Sequence, residues 1–128
     1  MGQKADAIQR LQRLAKLKSD IEMRRFAAYR EHVELARGRI AAIEAEMRQI
    51  YAAPQAFSVA EARLANTLAG ERSRALLRAE AELRQMLPGF EAARRAALRE
   101  FGRSEVLNSL CRDMSKAEAE ARQKRQPD

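Results

Sequence analysis

From Phe26 onward the apolar residues recur at alternating steps of three and four: Phe26, Tyr29, Val33, Ala36, Ile40, Ile43, Met47 and Ile50. That spacing is the heptad seam of an α-helix, and the positions between are mostly polar. A stripe so narrow closes no globular core by itself and must be covered by another helix, from the same chain or from a partner. Upstream, Ile8, Leu11, Leu14, Leu17 and Ile21 make a second series, which meets Phe26 only after a step of five. A slip of that kind predicts a local change of supercoil.

These series predict a first helix from about residue 5 to 52, with Gly38 the one glycine to weaken it and no proline inside. At about 1.5 Å per residue it would be roughly 70 Å long. The break is expected at 53–57, around Pro54. Ser58 followed by Glu61 is a capping-box pattern, with Phe57 placed as a staple residue, so a second helix begins near 58 and runs to about 122. So short a connection favours antiparallel neighbours. Pro88-Gly89 interrupts the second helix, because proline removes a backbone donor and clashes with the preceding turn. The expected fold is all-α in a single domain: a long antiparallel helical hairpin, a coiled coil kinked at Pro88-Gly89. A three-helix bundle, with the chain reversing at Pro88, is the alternative. Residues 123–128 are expected to be a flexible tail.

Counting outward from the turn, the first helix is exhausted when the second reaches roughly Glu105. Leu107, Leu110 and Met114 would then form an unpaired apolar stripe, which usually marks a partner surface.

Composition supports an elongated helical chain. Hydrophobic residues make up 46% of the 128 residues, but alanine supplies much of that and aromatics only 5%. The net charge is +7 and the isoelectric point about 10.3. The early stretch is the most one-sided: Lys4, Arg10, Arg13, Lys16, Lys18, Arg24, Arg25 and Arg30 face only Asp6, Asp20 and Glu22. An excess of this kind fits an acidic protein, nucleic acid or an anionic membrane surface. No apolar run approaches the roughly 20 residues needed to span a bilayer, and no signal core opens the chain. The expected location is the cytoplasm, at the inner face of the membrane only through partners.

Catalytic chemistry finds little footing. His32 is the one histidine, and neither a His-x-x-x-His nor a Cys-x-x-Cys pair exists to hold a metal. Cys111 is the one cysteine, in an apolar stretch without a base nearby, and reads as a packing residue. Glu44 with Glu46 and Glu80 with Glu82 are two apart on a helix and point away from each other. The chain reads as a non-enzyme with no cofactor and no metal. Nucleic acid is disfavoured as well, since Glu31, Glu34, Glu44 and Glu46 interrupt any continuous phosphate track.

The segments Ile8-Gln9-Arg10-Leu11-Gln12-Arg13-Leu14-Ala15-Lys16-Leu17-Lys18 and Ala92-Ala93-Arg94-Arg95-Ala96-Ala97-Leu98-Arg99-Glu100-Phe101, with the proline-containing turn between them, resemble the FliJ family of flagellar export proteins. Related stalk proteins of type III secretion share the layout. The resemblance is one of pattern and composition over most of the chain and contains no unique motif. It implies an antiparallel two-helix coiled coil similar to the rotor shaft of rotary ATP synthases. The end bearing both termini would enter the ring of the export ATPase, with further contacts to the export gate and to export chaperones. Carried over by position, Arg10, Arg13, Lys16 and Lys18 with Arg112 and Lys116 would enter the ring, and Arg24, Arg25 and Phe26 would lie further along. Pro88-Gly89 departs from the uninterrupted return helix of that family. The expected function is a non-enzymatic stalk or adaptor, a monomer or weak homodimer, that binds these protein partners. The rivals are a basic nucleic-acid-associated helical protein and a self-associating scaffold closed by Leu107, Leu110 and Met114.

Overall fold

The computed structural model describes residues 2–52 and 58–126. They form an all-α helical hairpin of two long helices, α1 (Gln3–Ala52) and α2 (Val59–Arg125). The predicted turn at 53–57, including Pro54 and the staple residue Phe57, lies outside the described residues. Helix α2 starts as expected: the Glu61 backbone N–H donates to Ser58 Oγ at 3.1 Å, which satisfies one of the orphan donors of the first turn.

Helix α2 passes through Pro88 without ending, so the chain does not reverse there and no three-helix bundle forms. Pro88 is exposed, as is Arg84, the residue whose carbonyl loses its helical partner to the proline, and the helix on either side carries covered positions of its own. At the C-terminal end α2 runs to Arg125, and residues 123–125 are helical rather than tail. Arg122, Lys124 and Arg125 in that last turn complement the negative end of the helix dipole.

The chain divides into two bodies: a terminal body of Met1–Ala27 and Ala92–Asp128, and a middle body of Ala28–Glu91. Within the middle body the predicted seam is the buried one. Val33 and Ala36 are fully buried and Ile40, Ile43, Met47 and Ile50 half-buried, opposite half-buried Leu76, Leu83 and Met86 and buried Ala79 on α2. Ion pairs bridge its helices, among them Arg39 to Glu82 at 3.4 Å and Arg72 to Glu46 at 3.2 Å. Tyr29 lies against Gly89, where only a residue without a Cβ leaves room for the ring.

These pairs also set the register. Residues 58–64 of α2 are all exposed, and the first covered position is Ala65. Helix α2 therefore begins pairing about two turns after it starts, and pairing does not count outward evenly from the turn.

Within the terminal body the consequence is direct. Ala5, Ile8 and Gln9 line a small cleft with Cys111, Met114, Ser115 and Glu118, so α1 still covers α2 well past Glu105. Leu107 and Met114 are half-buried, and the expected unpaired stripe at Leu107, Leu110 and Met114 does not form; of the three, only Leu110 is exposed.

The expected change of register before Phe26 is absent too. The covered positions of α1 in this body are Ala5, Ile8, Gln12, Ala15, Ser19, Glu22 and Phe26, again at steps of three and four. On α2 the series Ala93, Ala97, Glu100, Ser104, Leu107, Cys111, Met114 and Glu118 is covered at the same steps, with Ala96 and Asn108 covered beside it. The seam keeps its phase and changes its composition, from large apolar side chains to alanine, serine and half-buried polar residues. Leu11, Leu14, Leu17 and Ile21, the most hydrophobic residues of the segment, are left outside it.

Candidate functional site

The two bodies differ sharply in charge. The middle body holds nine lysines and arginines and nine aspartates and glutamates, so it is neutral. The terminal body holds sixteen bases against nine acids, and this difference of seven is the whole net charge of the chain. All twelve residues expected to bind a partner lie in the terminal body: Arg10, Arg13, Lys16, Lys18, Arg24, Arg25, Phe26, Leu107, Leu110, Arg112, Met114 and Lys116.

Their side chains divide into two groups. Every lysine and arginine of the set is exposed, and Leu110 with them. Phe26, Leu107 and Met114 are partly covered as seam residues and serve the packing of the two helical segments. Arg25 is held by Glu22 at 3.0 Å, one turn before it. Arg103 pairs with Glu100 at 3.0 Å, and Arg99 approaches the same carboxylate at 3.6 Å. Both acids occupy seam positions, and the Glu100 side chain is only 12% exposed. These acids are turned toward the interior while most bases of the body face solvent. Exposed pairs of this kind contribute less than about 1 kcal/mol each, and their larger effect is to orient the arginines.

Two clefts flank the terminal seam. One, about 580 Å³, is lined by Leu11, Leu14, Ala15 and Lys18 on α1 and by Glu100, Gly102, Arg103, Val106 and Leu107 on α2. The other, about 490 Å³ and more polar, includes Gln12, Lys16, Ser19 and Met23 opposite Phe101, Ser104 and Asn108. The first is largely apolar because Leu11, Leu14, Val106 and Leu107 stand around the small Ala15 and because Gly102 contributes no side chain. A Cβ at Gly102 would meet nothing within 4 Å. The corresponding cleft of the middle body, about 340 Å³, is lined by Arg39, Glu46, Arg78 and Glu82 around Ala42, Ile43, Ala75 and Ala79. There Arg39 and Glu82, both in the lining, pair with each other between the helices.

The sequence did not identify Leu11, Leu14, Leu17, Ile21, Leu98 and Val106 as surface residues, yet each is about half or more exposed. The signal that finds them is the phase of the strong seam: stepping back from Phe26 by four and three reaches Glu22, Ser19, Ala15 and Gln12, and leaves the leucines on the adjoining face.

Other chemistry is sparse among the described residues. No group of three or more His, Cys, Asp or Glu is placed to hold a metal ion. His32 is exposed, and Cys111 is half-buried beside Ile8 and Met114. Glu46 and Glu82 are the acids of the bridging ion pairs rather than members of carboxylate dyads. No buried side-chain nitrogen or oxygen is left without a partner, and no helix is long and apolar enough to cross a membrane. What the arrangement offers is a surface: a neutral hairpin segment and a basic one, each with large apolar side chains in the open. Compared with known proteins, the chain matches no family model, no curated protein and no solved structure.

Proposed function

We propose that the chain is a non-enzymatic stalk or adaptor of a flagellar, type III protein export apparatus, docking through its terminal body on the export ATPase ring and the export gate and assisting export chaperones. The observation that carries this reading is the segregation of charge along a helical hairpin. The segments bearing both termini hold the entire positive excess, and the middle body is neutral. Long paired helices transmit position and orientation without any chemistry of their own. A basic end supplies steering toward an acidic protein surface, which raises the association rate and weakens with salt. The resemblance of segments 8–18 and 92–101 to export stalk proteins supplies the class of partner, and the location at the inner face of the membrane would follow from those partners.

The test is addition of the purified chain to the export ATPase of the same source. Ring assembly or ATP hydrolysis should rise with the native chain. The paired variants Arg13→Glu/Lys16→Glu and Arg24→Glu/Arg25→Glu should reduce the effect at least tenfold with helicity unchanged. Variants that stimulate as well as the native chain would overturn the docking account.

A second reading, a basic nucleic-acid-associated helical protein, draws on the same concentration of sixteen bases in one body. It requires binding to DNA or RNA at low salt that falls steeply as salt rises, and the absence of such binding eliminates it.

A further inference from the structure

We infer that the apolar groove of the terminal body is the seat of an acidic amphipathic helix from a protein partner, which packs between α1 and α2 as a local third helix. This goes beyond the export reading and does not depend on it: it concerns one groove and the chemistry of the segment that fills it.

The groove is built from residues that the hairpin has no use for. Leu11 and Leu14 on α1 and Val106 on α2 are 52%, 52% and 68% exposed, while the seam positions that line the groove are Ala15, Glu100 and Leu107. Burying leucines stabilises a hairpin by roughly 1.5–3 kcal/mol each, so a chain selected only for its own stability would place them in the seam. Here alanine, serine, glutamine and glutamate take many of the seam positions, beside Ile8, Leu107 and Met114, while Leu11 and Leu14 stand on the adjoining face. Leu17 and Ile21 extend that face along α1, and Leu98 and Leu110 extend it along α2.

The spacing fits a helical occupant. Leu11, Leu14 and Ile21 lie three and seven residues apart, so they stack along about 15 Å of one helix face. A helix presenting its own i, i+3, i+4 and i+7 residues fits such a row. The cleft of about 580 Å³ is open rather than enclosed, a trough along the two helices into which a row of side chains fits.

Charge selects the occupant. Lys18 and Arg103 line the groove itself, with Arg99 one turn from Arg103. The one acid in its wall, Glu100, is already engaged by Arg103 and Arg99. A second copy of this chain would bring another body with an excess of seven positive charges onto the first, which opposes self-association. A helix with glutamates flanking its apolar stripe meets attraction on both rims. The comparable cleft of the middle body is balanced, with Arg39 and Arg78 against Glu46 and Glu82 in its walls, and offers no such preference.

The experiment uses the whole chain and a synthetic 18-residue helix with leucines at i, i+3, i+4 and i+7 and glutamates on its flanks. A twin in which every glutamate is lysine serves as control. Amide chemical shifts and fluorescence anisotropy are followed at low salt. The expected result is binding of the acidic helix at least tenfold tighter than its twin, with shifts centred on Leu11, Leu14, Gly102 and Val106. Gly102→Trp fills the groove at a position where a side chain meets nothing, so circular dichroism should be retained and affinity should drop at least tenfold. Leu14→Glu should do the same, and Leu77→Glu, in the middle body, should change nothing. Equal binding of both helices, or unchanged affinity in Gly102→Trp, overturns the inference. So does a concentration-dependent dimer, or binding to phosphatidylglycerol vesicles, that Gly102→Trp abolishes, since the groove would then serve a second copy or a lipid surface. The export docking test uses variants of basic residues outside the groove, so the two proposals fail separately.

Discussion

The Tyr29 ring packs directly on the backbone of Gly89: a methyl group placed on Gly89 would lie 2.9 Å from both Cε1 and the hydroxyl oxygen of Tyr29. Two opposing effects therefore meet at one residue. Glycine inside a helix costs about 1 kcal/mol relative to alanine, yet alanine here must displace the ring. Tyr29 is 42% exposed, so its ring has somewhere to go, at the loss of its contact with α2. In a Tyr29→Ala background, Gly89→Ala should stabilise the chain by about 1 kcal/mol. With Tyr29 present that gain should vanish, a coupling of at least about 0.5 kcal/mol. Urea unfolding of the four proteins measures the cycle, and additive effects would mean that the ring does not rest on Gly89.

Placement of the seam makes a second prediction. Val33 is 1% exposed, whereas Leu17 is 60% exposed although it is the larger and more hydrophobic residue. Val33→Ala should cost about 1–2 kcal/mol through lost burial and the cavity left behind. Leu17→Ala should stay within about 0.5 kcal/mol, as for a surface substitution. The comparison is read from urea midpoints. A larger loss at Leu17 would return the seam to the leucine series.

The contrast shows what the sequence makes legible. Around Val33 hydrophobicity and phase agree, so the seam from Phe26 to Ile50 can be read directly, as can the all-α hairpin and the Ser58 cap. In the terminal body they disagree. Leu11, Leu14, Leu17 and Ile21 are apolar but out of phase, and Gln12, Ser19 and Glu22 are polar but in phase. A helix paired along its length keeps its phase, because rotating a different face inward would break the packing of its neighbours. Small residues then let the backbones close up over a seam that hydrophobicity alone does not reveal. Register was hidden for a different reason: the first turns of α2 are not covered by α1, so counting from the turn misplaced Leu107 and Met114. The basic residues of the candidate site were plain in the sequence, but the groove they surround was not, because it exists only once the leucines are known to face out.

Those uncovered turns give a third prediction. Ser58 Oγ accepts the Glu61 N–H, yet residues 58–64 are all exposed. Losing the cap costs about 1 kcal/mol of helix stability. In a segment without tertiary packing that loss is felt locally, as fraying, rather than in global unfolding. Ser58→Ala should therefore speed amide hydrogen exchange at residues 61–65 roughly fivefold, the equivalent of that 1 kcal/mol, and shift the global unfolding free energy by less than about 0.5 kcal/mol. A full loss in global stability would show that α2 is packed from its first turn.

The register of the terminal body can be tested by chemistry. Cys111 shares a small cleft with Ala5, Ile8, Gln9 and Met114. Had α1 been exhausted opposite Glu105, no residue of α1 would lie near Cys111. Ile8→Cys should therefore form an intramolecular disulfide with Cys111 under mild oxidation, seen as faster migration on a non-reducing gel. The bridge closes a loop of about 100 residues, for which chain entropy allows a stabilisation of up to about 4.7 kcal/mol, less any strain. Leu17→Cys, on the outward face and about two and a half turns further along α1, should leave Cys111 as a free thiol. If Leu17→Cys cross-links to Cys111 and Ile8→Cys does not, the small-residue seam is not the interface between the two helices in this body.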